Sequence, residues 1–157
     1  MNDDVKKFDE TTVAITTKSG EIEAPALTHE MCPGLAVTMA PYGVFTVTHT
    51  ATGMKLCGRF ERCGTAISIL VKFQMIAKAH DLNWSDWDDG SERRFSESFG
   101  GEVPFDGAET ISMGETRKMT IREWMGSIRG DFFFNEFPWE DVNPLQEAKD
   151  NLRLLGS

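Results

Sequence analysis

The sequence predicts an α+β fold: an antiparallel meander of about five strands packed by one long helix, with two short helices towards the C-terminus. Three observations predict it. Residues 12–60 fall into short β-prone segments separated by turn residues, residues 62–80 carry a broad apolar stripe at helical spacing, and residues 121–129 and 144–155 each begin with a helix-start signal. At 157 residues the chain is long enough to bury roughly 70% of the surface it exposes when unfolded, so one domain spanning 1–157 is expected.

The first two strands cover residues 12–18 (TVAITTK) and 21–27 (EIEAPAL), with Ser19-Gly20 between them as a tight hairpin turn. Pro25 has no amide hydrogen to donate, which keeps the second strand short or places it on an edge. After the Cys32-Pro33-Gly34 break, LAVTMA, VFTVTHT and MKLCGRF supply three more strands, separated by Tyr42-Gly43 and by a turn ending at Gly53. Alternation puts Phe45, Val47 and His49 on one face and Thr46, Thr48 and Thr50 on the other. On the next strand it directs Met54, Leu56 and Phe60 inward and Lys55, Cys57 and Arg59 outward. The expected sheet has one apolar face and one threonine-rich, basic face.

In the helix over 62–80, Ala66, Leu70, Phe73 and Ala77 form a stripe that Ile67, Val71 and Ile76 widen, a surface suited to lie across the inner face of the meander. From 81 to 116 the periodicity dissolves. Gly90, Gly100, Gly101, Pro104, Gly107 and Gly114 punctuate it, which reads as a loop-rich acidic region with room for one further hairpin. Thr120-Ile121-Arg122-Glu123 matches a capping box and opens the helix 121–129, which presents Ile121, Trp124, Met125 and Ile128. Asn143-Pro144 supplies an N-cap and a first-turn proline for the helix 144–155, with Leu145, Ala148, Leu152 and Leu155 on its apolar side.

The formal net charge is −9, which opposes binding to a phosphate backbone and suits a basic partner. It is unevenly spread: residues 1–40 carry 3 Lys and Arg against 7 Asp and Glu, residues 41–80 carry 5 against 1, and residues 81–157 carry 8 against 17. No apolar run approaches the ~20 residues that span a bilayer. The Met1-Asn2-Asp3-Asp4 start is acidic where an export signal would be basic, so a cytoplasmic protein with no membrane partner is expected. Cys32, Cys57 and Cys63 are odd in number and form no C-x-x-C pair, which points to reduced thiols rather than disulfides or zinc.

Catalytic and cofactor motifs are missing: there is no H-E-x-x-H, G-x-S-x-G, P-loop or G-x-G-x-x-G, so neither a catalytic set nor a cofactor is assigned. His29 and Cys32 could form a nucleophile–base pair only if the fold brought them together, and a structural role is the simpler expectation. SDWDDGSERRFSE, residues 85–97, invites comparison with a calcium loop. With Asp86 in position 1, Asp88 falls in position 3 and Glu97 in position 12, but Gly90 arrives one place early and replaces a ligand. The metal reading fails on spacing. What is left is a solvated acidic turn or a docking patch in which Trp84 and Trp87 anchor a partner beside Asp86, Asp88, Asp89 and Glu92.

A second candidate surface is DFFFNEFPWED, residues 131–141, where neighbouring phenylalanines cannot all face one core. Read as an interface, it offers Phe134, Phe137 and Trp139 as anchors, Glu136, Glu140 and Asp141 as an acidic rim, and residues 131–139 as a surface for self-association. These features favour a non-enzymatic interaction protein whose acidic surface binds a basic partner. One concrete version inhibits a nucleic-acid-handling protein, in the manner of phage or plasmid anti-defence proteins such as anti-CRISPR or anti-restriction proteins. Two alternatives are a nucleic-acid-binding module using Thr46, Thr48, Lys55 and Arg59, and a small enzyme with an unrecognised site.

Overall fold

The computed structural model describes residues 8–39, 43–60, 62–129 and 144–156. Five antiparallel strands follow one another as expected: β1 (Asp9–Thr17), β2 (Gly20–Thr28), β3 (Leu35–Met39), β4 (Phe45–His49) and β5 (Met54–Phe60), in the order β1-β2-β3-β4-β5. The first turn is Lys18-Ser19, and Gly20, at φ +112°, opens β2. Contrary to the edge reading of Pro25, β2 is a nine-residue interior strand. It tolerates the proline because its ladder with β3 covers only Ala26 and Leu27, opposite Thr38 and Val37.

The faces of the sheet differ from simple alternation. Leu35, Val37, Val47, Cys57 and Phe60 belong to the hydrophobic core. The opposite face was expected to be an outward, threonine-rich surface, yet Ala24, Ala26, Ala36, Thr38, Thr46 and Thr48 are buried there. Two irregularities explain part of this. Leu56 and Arg59 are extra residues in β5 that drop out of the β4–β5 register, so Cys57 pairs with Val47 and turns inward while Met54 is 56% exposed. Curling explains the rest: β1 swings round to the β4–β5 turn, where the Thr16 amide donates to Gly53 O at 3.0 Å. Inside this curl, Thr38 Oγ1 lies 2.6 Å from Thr46 Oγ1 and 2.8 Å from Thr48 Oγ1, so the buried hydroxyls satisfy one another.

Helix α1 (Cys63–Ala79) starts and ends where its periodicity predicts. It is buried on more sides than one stripe requires, because the sheet covers one flank and α4 (Pro144–Leu155) packs along another. The buried Thr65 hydroxyl finds no hydrogen-bond partner among the described residues. Two other polar residues of the helix are satisfied: Ser68 Oγ and Lys72 Nζ each donate to Glu147 Oε1 at 2.8 Å, and Lys72 Nζ also sits 5.3 Å from the Phe105 ring centre. A cation this enclosed persists because it is both paired and hydrogen-bonded. Ala148 and Leu152 of α4 face the core as expected, whereas Leu145 is half exposed.

The largest departure lies in residues 81–116, read from sequence as loop. They contain a helix, α2 (Asp89–Glu97), a 3₁₀ turn at Ser98–Gly100, and the start of the anticipated hairpin, β6 (Glu109–Ser112) and β7 (Glu115–Lys118). Helix α3 (Ile121–Arg129) follows and buries Ile121, Trp124 and Ile128. Its capping box forms: the Glu123 amide donates to Thr120 Oγ1 at 3.2 Å and the Thr120 amide to Glu123 Oε1 at 2.9 Å. Among the described residues, no helix is long and apolar enough to cross a membrane.

Arg117 adds a two-pronged contact to Glu123, 2.8 Å on each oxygen, and this bonding, helped by the Thr120 amide, holds the Glu123 carboxyl at about 2 against an ordinary 4.5. Because the folded-state value is the lower one, the contact stabilises the protein above about 4.5 and is lost as pH falls towards about 2. Glu123→Gln is therefore expected to lower Tm at neutral pH. The deficit relative to the parent should shrink steadily in melts taken down to about pH 2. A deficit independent of pH would show that the pair contributes nothing through its charge.

Candidate functional surfaces

The acidic turn is built from the end of α1. Asp81 adopts φ +57° and the Leu82 amide returns to Ala77 O at 2.8 Å, which reverses the chain. Asn83 Oδ1 then accepts from the Ser85 amide at 3.0 Å and from Ser85 Oγ at 2.7 Å, a local Asx turn that delivers Trp84 to the interior. Trp84 is 1% exposed; its Nε1 donates to Phe73 O at 3.2 Å, and its carbonyl accepts from His49 Nε2 at 2.6 Å. A carbonyl can only accept, so Nε2 of His49 carries a hydrogen. Trp87 stacks on Trp84 with ring centres 4.7 Å apart and planes 5° apart, and Phe95 meets both rings edge-on.

This geometry divides the residues proposed as a docking patch. Trp84 is a core residue and not a surface anchor, a correction that follows from its buried ring and satisfied N–H. Trp87 is half-buried. Asp88 caps α2: its Oδ1 accepts from the Ser91 amide at 2.8 Å and from Ser91 Oγ at 3.2 Å, bonds that hold its carboxyl below the ordinary value. Gly90, the early glycine of the calcium comparison, lies in the first turn of this helix. Asp86, Asp89 and Glu92 are exposed, and among the described residues their carboxylates take no cationic partner within 4 Å. Phe134, Glu136, Phe137, Trp139, Glu140 and Asp141 lie outside the described residues.

The proposed nucleic-acid face is split. Lys55 and Arg59 are exposed, but the Thr46 and Thr48 hydroxyls are committed inside the curled sheet and reach no external groove. His29 and Cys32 are adjacent but not arranged as nucleophile and base. His29 Nδ1 accepts from the Met31 amide at 3.1 Å, and burial pushes the Cys32 thiol up to about 12, leaving it protonated at neutral pH.

One surface has no counterpart in the sequence reading. Helix α2, the 3₁₀ turn, α3 and β5 enclose an open groove of about 550 Å³. Leu56, Phe73, Phe95, Phe99 and Met125 form its apolar lining, and Lys55, Arg122 and Glu92 bring charge to it. The Arg122 guanidinium stands 5.8 Å from the Phe99 ring centre. The one local signal for this wall is the i, i+4 spacing of Phe95 and Phe99; the remaining residues are scattered from Lys55 to Gly126.

No known protein family, curated protein or solved structure matches the chain.

Proposed function

We propose that the protein is a non-enzymatic interaction protein whose acidic turn docks a basic partner. The observation that carries this reading is the exposure of Asp86, Asp89 and Glu92, unpaired among the described residues, around a turn pinned by buried Trp84. Carboxylates held on a rigid base lose little conformational freedom on binding, and they steer a cationic surface during encounter. In its concrete form the partner is a cytoplasmic nucleic-acid-handling protein whose phosphate-binding surface the turn occupies, as an anti-defence protein of a phage or plasmid would do. Of the nucleic-acid reading, exposed Lys55 and Arg59 are what support remains.

The test is capture from the native host, followed by DNA-binding assays on whatever is retained. The expected partner is basic, is released as salt rises above several Debye-screening steps (about 0.5 M), and loses DNA binding stoichiometrically when the protein is added. Reversing Asp86, Asp89 and Glu92 to lysine together should weaken capture by about 100-fold, while Asp88 is left intact to preserve the helix cap. Unchanged capture by the triple variant would remove this turn from the interface.

A further inference from the structure

We infer that the groove between α2, α3 and β5 is a binding site for a small amphipathic anion, an aryl or acyl group carrying a carboxylate, sulfonate or phosphate. Its volume of about 550 Å³ is that of a small-molecule site, within the range of roughly 300–1,000 Å³ usual for such pockets. The floor is preorganised. Phe95 is held edge-on against Trp84 at 5.2 Å and Phe99 against Phe95 at 5.0 Å, so an apolar body meets rings already fixed in place.

Charge selects the head group. The chain has 25 acidic and 16 basic residues, and among the described residues Lys72, Arg117, Lys118 and Arg153 reach carboxylates within 4 Å. Lys55 and Arg122 reach none among the described residues, although both line the groove. Arg122 is oriented by the Phe99 face, which leaves its N–H fork free for a planar anion. Glu92 is the opposing charge on the rim, so two cations face one carboxylate and the balance favours an anionic head.

The full chain can be titrated with three naphthalenes of equal bulk: 2-naphthoate, 2-naphthylmethanol and 2-naphthylmethylammonium, followed by amide chemical shifts. The expected order is naphthoate first, about 10-fold tighter than the alcohol, as one charge-assisted hydrogen bond implies. Shifts should centre on residues 55–56, 95–99 and 122–126. Lys55→Gln with Arg122→Gln should abolish the preference for the anion while alcohol binding persists, a result that a folding defect would not produce. Equal affinity for anion and alcohol, or shifts centred elsewhere, would overturn the assignment. Tightest binding of the ammonium congener would also overturn it and would give the groove to Glu92 and a cationic ligand.

Discussion

Trp84→Ala is expected to lower the unfolding free energy by about 3–5 kcal/mol, the range for removing a fully buried tryptophan. The indole touches four aromatic rings, from His49, Phe73, Trp87 and Phe95, and its N–H closes onto the α1 backbone at Phe73. Alanine would leave a cavity at the junction of α1, the sheet and α2. Trp87→Ala removes only the outer half of the stack and should cost about 1 kcal/mol. Urea denaturation of the two variants checks the difference, and near-equal losses would mean that the inner ring does not anchor the turn. Because Asp86, Asp89 and Glu92 hang on that anchor, Trp84→Ala should also impair partner capture without altering a single charge.

Gly34→Ala should be nearly as damaging. Gly34 has φ +87°, and a Cβ there would collide with the carbonyl carbon of Trp84 and the amide nitrogen of Ser85, and would stand 2.7 Å from Trp84 O. These are backbone atoms, already fixed by the His49 bond to the same carbonyl and by the Thr50 amide, which donates to Gly34 O at 2.9 Å. A left-handed conformation costs an L-residue about 1–2 kcal/mol, and overpacking adds about 1–3 kcal/mol, so a total of roughly 2–5 kcal/mol is expected. Gly20→Ala supplies the contrast: it has a positive φ of +112° but nothing within 4 Å of the added atom. It should show only the conformational part. If the two variants lose equal stability by denaturation, the approach of the turn to the sheet is not tight.

The meander was legible because each reversal carries its own local marker: Gly20, Pro33-Gly34, Gly43 and Gly53 all stand at or beside turns. Helix α1 was legible because its apolar residues outnumber anything a strand could accommodate, and α3 because its capping box is a local device. Helix α2 was missed for a reason that is equally local. Gly90 sits in its first turn, where it reads as a breaker, and the cap comes from an aspartate in a run of aspartates that reads as solvent-facing. The burial of Thr46 and Thr48 was beyond reach of alternation, which says which residues share a face but not whether the face is covered. Covering it depends on β1 curling towards Gly53, a contact spanning 37 positions from Thr16. Trp84 and Trp87 differ in fate although they are three residues apart, because Trp84 packs against Phe73 and donates its N–H to the Phe73 carbonyl, while Trp87 stacks on its outer side. The groove was invisible for the same reason, since its walls come from segments as distant as Lys55 and Gly126.

The three threonines inside the sheet have a consequence for how the strands find one another. An apolar face punishes a slip of one residue, which would turn it outward, but a slip of two residues restores every side chain to its proper side. Hydroxyls are less forgiving. Thr38 stands opposite Thr46, and Ala36 opposite Thr48; moving β3 by two rungs along β4 would part Thr38 from one of its two partners and strand a polar oxygen away from water. The cluster therefore acts as a key cut for one alignment, letting the folding chain tell the right rung from its near neighbours where greasy contacts alone would accept either.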